Sequence, residues 1–157
     1  MGLLVSTVGL HPCGAFYRDW PFLAAIGMAG GFWLILGWLT PVTPLSWQQM
    51  ASWPFLSLAL WQPCGEELVF RGLLQGYVSR QAWGQWSWRE LTGANLGVSL
   101  LFMLGHLWQH PPLWALAVLP PSLLFGWMRD RYRSVYPAMV LHMLYNAGYF
   151  GLTGLPT

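Results

Sequence analysis

The chain has 157 residues, of which 55% are hydrophobic and 17% aromatic but only 8% charged, where a water-facing surface uses about 25% charged residues. Its seven basic residues are all arginine, and five acids leave a formal charge of +2, too weak a field to grip a nucleic-acid backbone. Nucleic acid is therefore excluded as a main partner, and the partner implied is the lipid bilayer.

At about 20 residues per membrane-crossing helix, the length accommodates about five crossings, four to six, with short loops and no separate soluble domain. The expected fold is all-α: a polytopic helical membrane protein in which residues 1–157 form one integral-membrane domain. The opening MGLLVSTVGLHPCG lacks the basic region of a secretory signal and matches a lipidation site poorly, so it is expected to be retained. Cys13 and Cys64 imply no disulfide framework and read as free thiols.

Five apolar stretches follow in order: Trp20 to Leu39, Trp53 to Gly76, Ala94 to Gln109, Leu113 to Met128 and Tyr136 to Gly154. The third and fourth are short for a crossing, and Pro120-Pro121 interrupts the fourth, so some of the helices are expected to be kinked or re-entrant. Arginine tests this division independently, because cytoplasmic loops collect it. Arg18 precedes the first stretch, Arg80 and Arg89 separate the second from the third, and Arg129, Arg131 and Arg133 separate the fourth from the fifth. The loop from Thr40 to Ser52, the His110 to Pro112 link and the tail after Gly154 have none. Alternate loops thus carry six of the seven arginines, which places the N-terminus in the cytoplasm. The WGQWSW segment, with Trp83, Trp86 and Trp88, reads as interfacial, its rings at headgroup level.

The second stretch holds three groups that a bilayer disfavours, Glu66, Glu67 and Arg71; each costs at least about 2.5–3.5 kcal/mol at bilayer depth. On an α-helix Glu67 and Arg71 are i and i+4 and share a face, so Arg71 can neutralise Glu67. Glu66 is turned about 100° away and is left with no intrahelical partner, a carboxylate in low-dielectric surroundings where an acid makes a useful general base. His106 lies in the third stretch. His142 and Asn146, again i and i+4, lie in the fifth. Counting the helical rise from each cytoplasmic end puts Glu66, His106 and Asn146 roughly 15–18 Å deep and His142 about 9 Å deep, one membrane layer.

Such a set suits amide hydrolysis. Glu66 can take a proton from a water held against His106, while His142 and Asn146 can donate to the tetrahedral oxyanion. Ser99 and Cys64 lack the setting of a covalent nucleophile. His11 and His110 read as interfacial, and Gly65, Gly72, Gly76, Gly97 and Gly105 as positions of close helix packing.

The series Glu66-Glu67-xxx-Arg71, Phe102-xxx-His106 and His142-xxx-Asn146 resembles the motifs of the CPBP family, which comprises CAAX prenyl-proteases and bacteriocin-processing or immunity (Abi) enzymes and includes the Ras-converting enzyme. The resemblance implies an intramembrane glutamic endopeptidase of the bacterial inner membrane that uses no cofactor and no metal. In it, Glu66 and His106 activate water, His142 and Asn146 form the oxyanion pocket, and Glu67, Arg71 and Phe102 support them. The partner so implied is a membrane-anchored protein or peptide, cleaved near its C-terminus, lipidated or not. The chain is shorter than the eight-helix members, and small bacterial sorting proteases of the JDVT-CTERM type are the nearest description. Two alternatives differ in class: a zinc hydrolase with Glu66, His106 and His142 as ligands, disfavoured by the lack of HExxH, and a non-catalytic immunity or scaffold protein.

Overall fold

A computed structural model of the chain describes residues 7–39 and 42–156. Residues 1–6 of the N-terminal segment, Thr40 and Pro41 of the arginine-free loop, and Thr157 lie outside that range.

Five long helical segments follow the five apolar stretches: α1 (Trp20–Leu39), α2 (residues 53–78), α3 (Gly93–His106), α4 (Pro112–Tyr132) and α5 (Tyr136–Thr153). Where spatial partners can be paired, neighbouring helices run in the directions that an alternately crossing chain requires. Gln75 and Arg71 of α2 reach Gly126 and Ser122 of α4 in parallel. Glu67 and Leu58 of α2 meet His142 and Asn146 of α5 in antiparallel order.

Two boundaries differ from expectation. Helix α3 ends at His106 and gives way to turns. Helix α4 runs unbroken through Pro120 and Pro121 to Tyr132, so the interruption expected there is absent. Arg129 and Arg131 are consequently in its last turn rather than in a loop, where cations complement the helix dipole. Arg133 caps that helix in the left-handed region at φ 52°.

The packing is inside-out relative to a water-soluble domain. Glu67, Arg71, Gln75, Asn95, Ser99 and Ser122 are buried, whereas Leu34 is 78%, Trp38 85%, Trp108 90% and Leu113 83% exposed. An apolar exterior on this scale is the surface a hydrocarbon environment tolerates. Helix α1 alone among the described residues combines the length and apolar composition of a crossing, with a mean hydropathy of 1.9, and α3 is a shorter apolar helix. In α2, α4 and α5 the polar interior residues lower that average. The apolar core is small: Phe22 and Ala25 of α1 against Phe125 and Met128 of α4 and Ala138 and Leu141 of α5.

Short elements tie the bundle together. Residues 43–45 lie along the end of α5, where Thr43 N–H donates to Leu152 O and Leu45 N–H to Gly151 O, each at 2.9 Å. This satisfies carbonyls that a helix C-terminus leaves open. A capping box of Ser46 and Gln49 starts the turn Trp47–Met50. Between α2 and α3, β1 (Ser87–Trp88) and β2 (Leu91–Thr92) form a two-stranded antiparallel hairpin with Trp88 opposite Leu91. Trp83, Trp86 and Trp88 are all exposed around it.

Candidate active site

Helix α2 is built unusually. Its α-helical parts, Trp53–Leu56, Gln62–Glu67 and Gly76–Val78, alternate with π-helical segments Ser57–Trp61 and Leu68–Gln75. The wider π turn is favoured where a sequence interrupts the i→i−4 ladder, and it concentrates at functional sites. At the end of Ser57–Trp61 the interruption is Pro63, which has no N–H to donate. Gln62 N–H reaches back five residues to Ser57 O; the next bond in that register would run from residue 63 to Leu58 O, and proline cannot make it. Asn146 Nδ2 of α5 donates to Leu58 O instead, at 3.0 Å. A side chain singled out for chemistry thus also fills a gap that the neighbouring helix leaves in its own backbone.

Within the α-helical part, the two glutamates straddle the face that α5 covers. His142 lies between them, with Nδ1 2.9 Å from Glu67 Oε1 and Nε2 3.7 Å from Glu66 Oε2. Since a carboxylate only accepts, Nδ1 carries the proton in that bond. Glu67 is fully buried and, as expected, forms an ion pair with Arg71, whose Nε is 3.3 Å from its Oε2, at an angle that does not make a hydrogen bond. The Arg71 guanidinium is spread over three helices: Nη1 donates to Ser99 at 3.2 Å and Nη2 to Ser122 at 2.6 Å. Glu66 is 22% exposed at its side chain. Contrary to the expectation that it lacks an intrahelical partner, its Oε1 accepts from Gln62 Nε2 at 3.0 Å. The two are i and i+4 in the one α-helical stretch of this region, where that spacing brings side chains together.

Phe102 is the hub that brings His106 to this set. Its ring centroid is 4.5 Å from His106, 6.0 Å from His142 and 4.9 Å from Phe70, and Arg71 Cζ is 5.7 Å from it. His106 Nδ1 is 2.8 Å from Phe102 O. A carbonyl cannot donate, so Nδ1 is the protonated nitrogen and Nε2 of the neutral ring keeps its lone pair. His106 also stacks on His110 and Trp114, with centroids at 6.0 and 5.9 Å; His110, read as interfacial, belongs to this aromatic wall. Among the described residues no hydrogen bond or ion pair joins Glu66 to His106. The ring in contact with both glutamates is His142, not His106.

Six residues of the polar interior escaped the sequence reading as a group. Ser99 donates to Asn95 Oδ1 at 3.0 Å, and Asn95 Nδ2 donates to Leu123 O at 3.0 Å. Gln75 Nε2 donates to Gly126 O at 2.9 Å and to Asp130 Oδ1 at 2.7 Å, and Thr92 Oγ1 donates to Asp130 Oδ2 at 2.7 Å. Ser122 completes the set through Arg71. The signal was available as four-residue spacing: 67-71-75 on α2, 95-99 on α3 and 122-126-130 on α4 each mark one helical stripe. Ser99, weighed as a nucleophile, spends its hydroxyl on Arg71 and Asn95. Among the described residues no group of three or more His, Cys, Asp or Glu side chains is arranged to hold a metal ion.

The model of the type II CAAX prenyl endopeptidase Rce1-like family matches residues 47–148, a span that runs from the start of the Trp47 turn to two residues beyond Asn146. The chain belongs to that family. It is thereby an integral membrane protease, a hydrolase of the CAAX type. No curated protein and no solved structure gives a match.

Proposed function

We propose that the chain is a glutamic-type intramembrane endopeptidase of a bacterial cell membrane that hydrolyses a peptide bond near the C-terminus of a membrane-anchored or prenylated substrate. The observation that carries this reading is the position of His142 between the carboxylates of Glu67 and Glu66, at 2.9 and 3.7 Å. The shorter contact fixes the ring, as a buried carboxylate does for a catalytic histidine. The longer one exceeds a direct hydrogen bond and leaves both Glu66 Oε2 and His142 Nε2 able to bond a water or a substrate oxygen approaching from the side.

In this mechanism Glu66 removes a proton from the attacking water as its oxygen bonds to the carbonyl carbon, and returns that proton to the departing amine nitrogen as the C–N bond breaks; His106, with its Nε2 lone pair, helps orient the water. His142, its Nδ1 bonded to Glu67, presents Nε2 on the side of Glu66, the position from which a ring N–H would donate to the oxyanion as negative charge develops there. Asn146 spends one of its two amide hydrogens on Leu58 O and has the second for the same oxyanion. No step needs a metal or an acyl-enzyme.

The test is cleavage-site mass spectrometry on a farnesylated CAAX peptide and on candidate membrane substrates, with wild-type and Glu66→Gln protein, with and without chelator. The reading expects one cut near the C-terminus that chelator leaves intact and Glu66→Gln removes. A chelator-sensitive cut, or a cut that persists in Glu66→Gln, overturns it.

A further inference from the structure

We propose that Gln62 is a positioning residue for the Glu66 carboxylate, an inference that rests on the reading of Glu66 as the general base. Gln62 is exposed and flanked by the exposed apolar Leu60 and Trp61, surroundings in which an amide gains nothing by being polar unless it has a partner. That partner is Glu66, whose Oε1 accepts from Gln62 Nε2 at 3.0 Å while its other oxygen faces His142. The bond to Gln62 is the one direct hydrogen bond that Glu66 makes with its side chain among the described residues.

Two features make this contact more than a surface pair. The terminal torsion of a glutamate is broad and roughly two-fold, so without the bond to Oε1 nothing fixes the plane in which Oε2 meets the water and His142. The contact also has a regular helical basis. Gln62 and Glu66 are i and i+4 inside Gln62–Glu67, the α-helical stretch bounded by π segments on both sides, the spacing at which two side chains meet on one face. Gln62 therefore holds one carboxylate oxygen from within the same helix and leaves the other to face His142.

Gln62→Met removes the donor at nearly constant shape, and Gln62→Glu substitutes an isosteric carboxylate. The first readout is steady-state cleavage of the farnesylated CAAX peptide. Gln62→Met is expected to lower kcat about 10- to 100-fold, the scale of a misplaced reacting group, with KM unchanged, and Gln62→Glu to lower it further by repulsion. The second needs no activity: infrared difference spectra of the purified protein, with the Glu66 carboxylate band identified by its loss in Glu66→Gln. That band is expected to shift in Gln62→Met. Wild-type kcat with an unmoved band in Gln62→Met overturns the inference, as does a fall in folded yield and rate together with an unmoved band. If Glu66→Gln itself retains activity, the general-base reading fails, while the band still decides whether Gln62 holds Glu66.

Discussion

Helix α2 carries two polar clusters that differ in how completely their bonds are made. Around Arg71 and Gln75, the hydroxyls of Ser99, Ser122 and Thr92, the Asn95 amide and the Asp130 carboxylate bond one another across α2, α3, α4 and β2. Only a few buried atoms, Gln75 Oε1 among them, are left over. One turn away, Glu66 is part-exposed, His106 keeps a free ring nitrogen, and His142 stands 3.7 Å from Glu66 Oε2 without a direct bond. Burying polar groups without partners is costly in either place. The complete cluster turns that cost into fixed geometry; the incomplete one keeps bonding capacity for a substrate. Substitutions in the first cluster should therefore act on folding, and in the second on turnover.

The largest stability effect is expected from Arg71→Ala. It leaves Glu67 buried without its cation and frees two hydroxyls, and removing one partner of a buried pair costs about 3–5 kcal/mol. Folded yield on size-exclusion chromatography should collapse; normal yield with selective loss of cleavage would move Arg71 into the reacting cluster. Gly126→Ala comes next. A Cβ there would lie 1.9 Å from Asn95 Oδ1, and Asn95 is held by Leu123 O and Ser99, so overpacking of about 1–3 kcal/mol is expected in thermal unfolding.

Asn146 spans both kinds of role, which permits a sharper separation. Asn146→Ala should destabilise by about 1–2 kcal/mol, because Leu58 O loses its donor. Pro63→Ala restores a backbone N–H that can reach that carbonyl, so the double variant should recover stability without recovering cleavage. Recovery of both would make Asn146 purely structural. The smallest effect concerns Asp19, a part-exposed group before α1. The Tyr132 hydroxyl at 2.8 Å, followed by Arg131, holds its carboxyl below the usual range. A depressed folded-state value gives stability present at neutral pH and lost as pH falls below about 4. A slight acid weakening of thermal stability in wild type should be absent in Asp19→Asn.

Much of this arrangement was legible in the residues. The five apolar stretches became five helical segments because lipid-facing and core positions are both apolar, leaving only polar punctuation to mark the ends. Glu67 with Arg71 followed from helical spacing. What spacing could not give was the π-helical character of α2: proline signals a missing donor but not which carbonyl is orphaned, or that a residue on another helix would fill it. The Gln62–Glu66 contact has ordinary i, i+4 spacing and was legible in the same way as Glu67 with Arg71, whereas spacing within one helix could not show that His142 of α5 stands against both glutamates. The stripe of small polar residues on α3 and α4 was visible as a period of four, yet Ser, Thr and Asn are too common in membrane helices to stand out singly.

The central claim is that the Glu66 cluster is built for reaction rather than for holding the fold. Thermal unfolding and cleavage measured side by side on purified Glu66→Gln protein test it most directly. The account predicts an unfolding midpoint near that of wild type with turnover reduced roughly 10²- to 10⁴-fold, the scale of a lost general base. Turnover undiminished, or stability and turnover lost together, would contradict it.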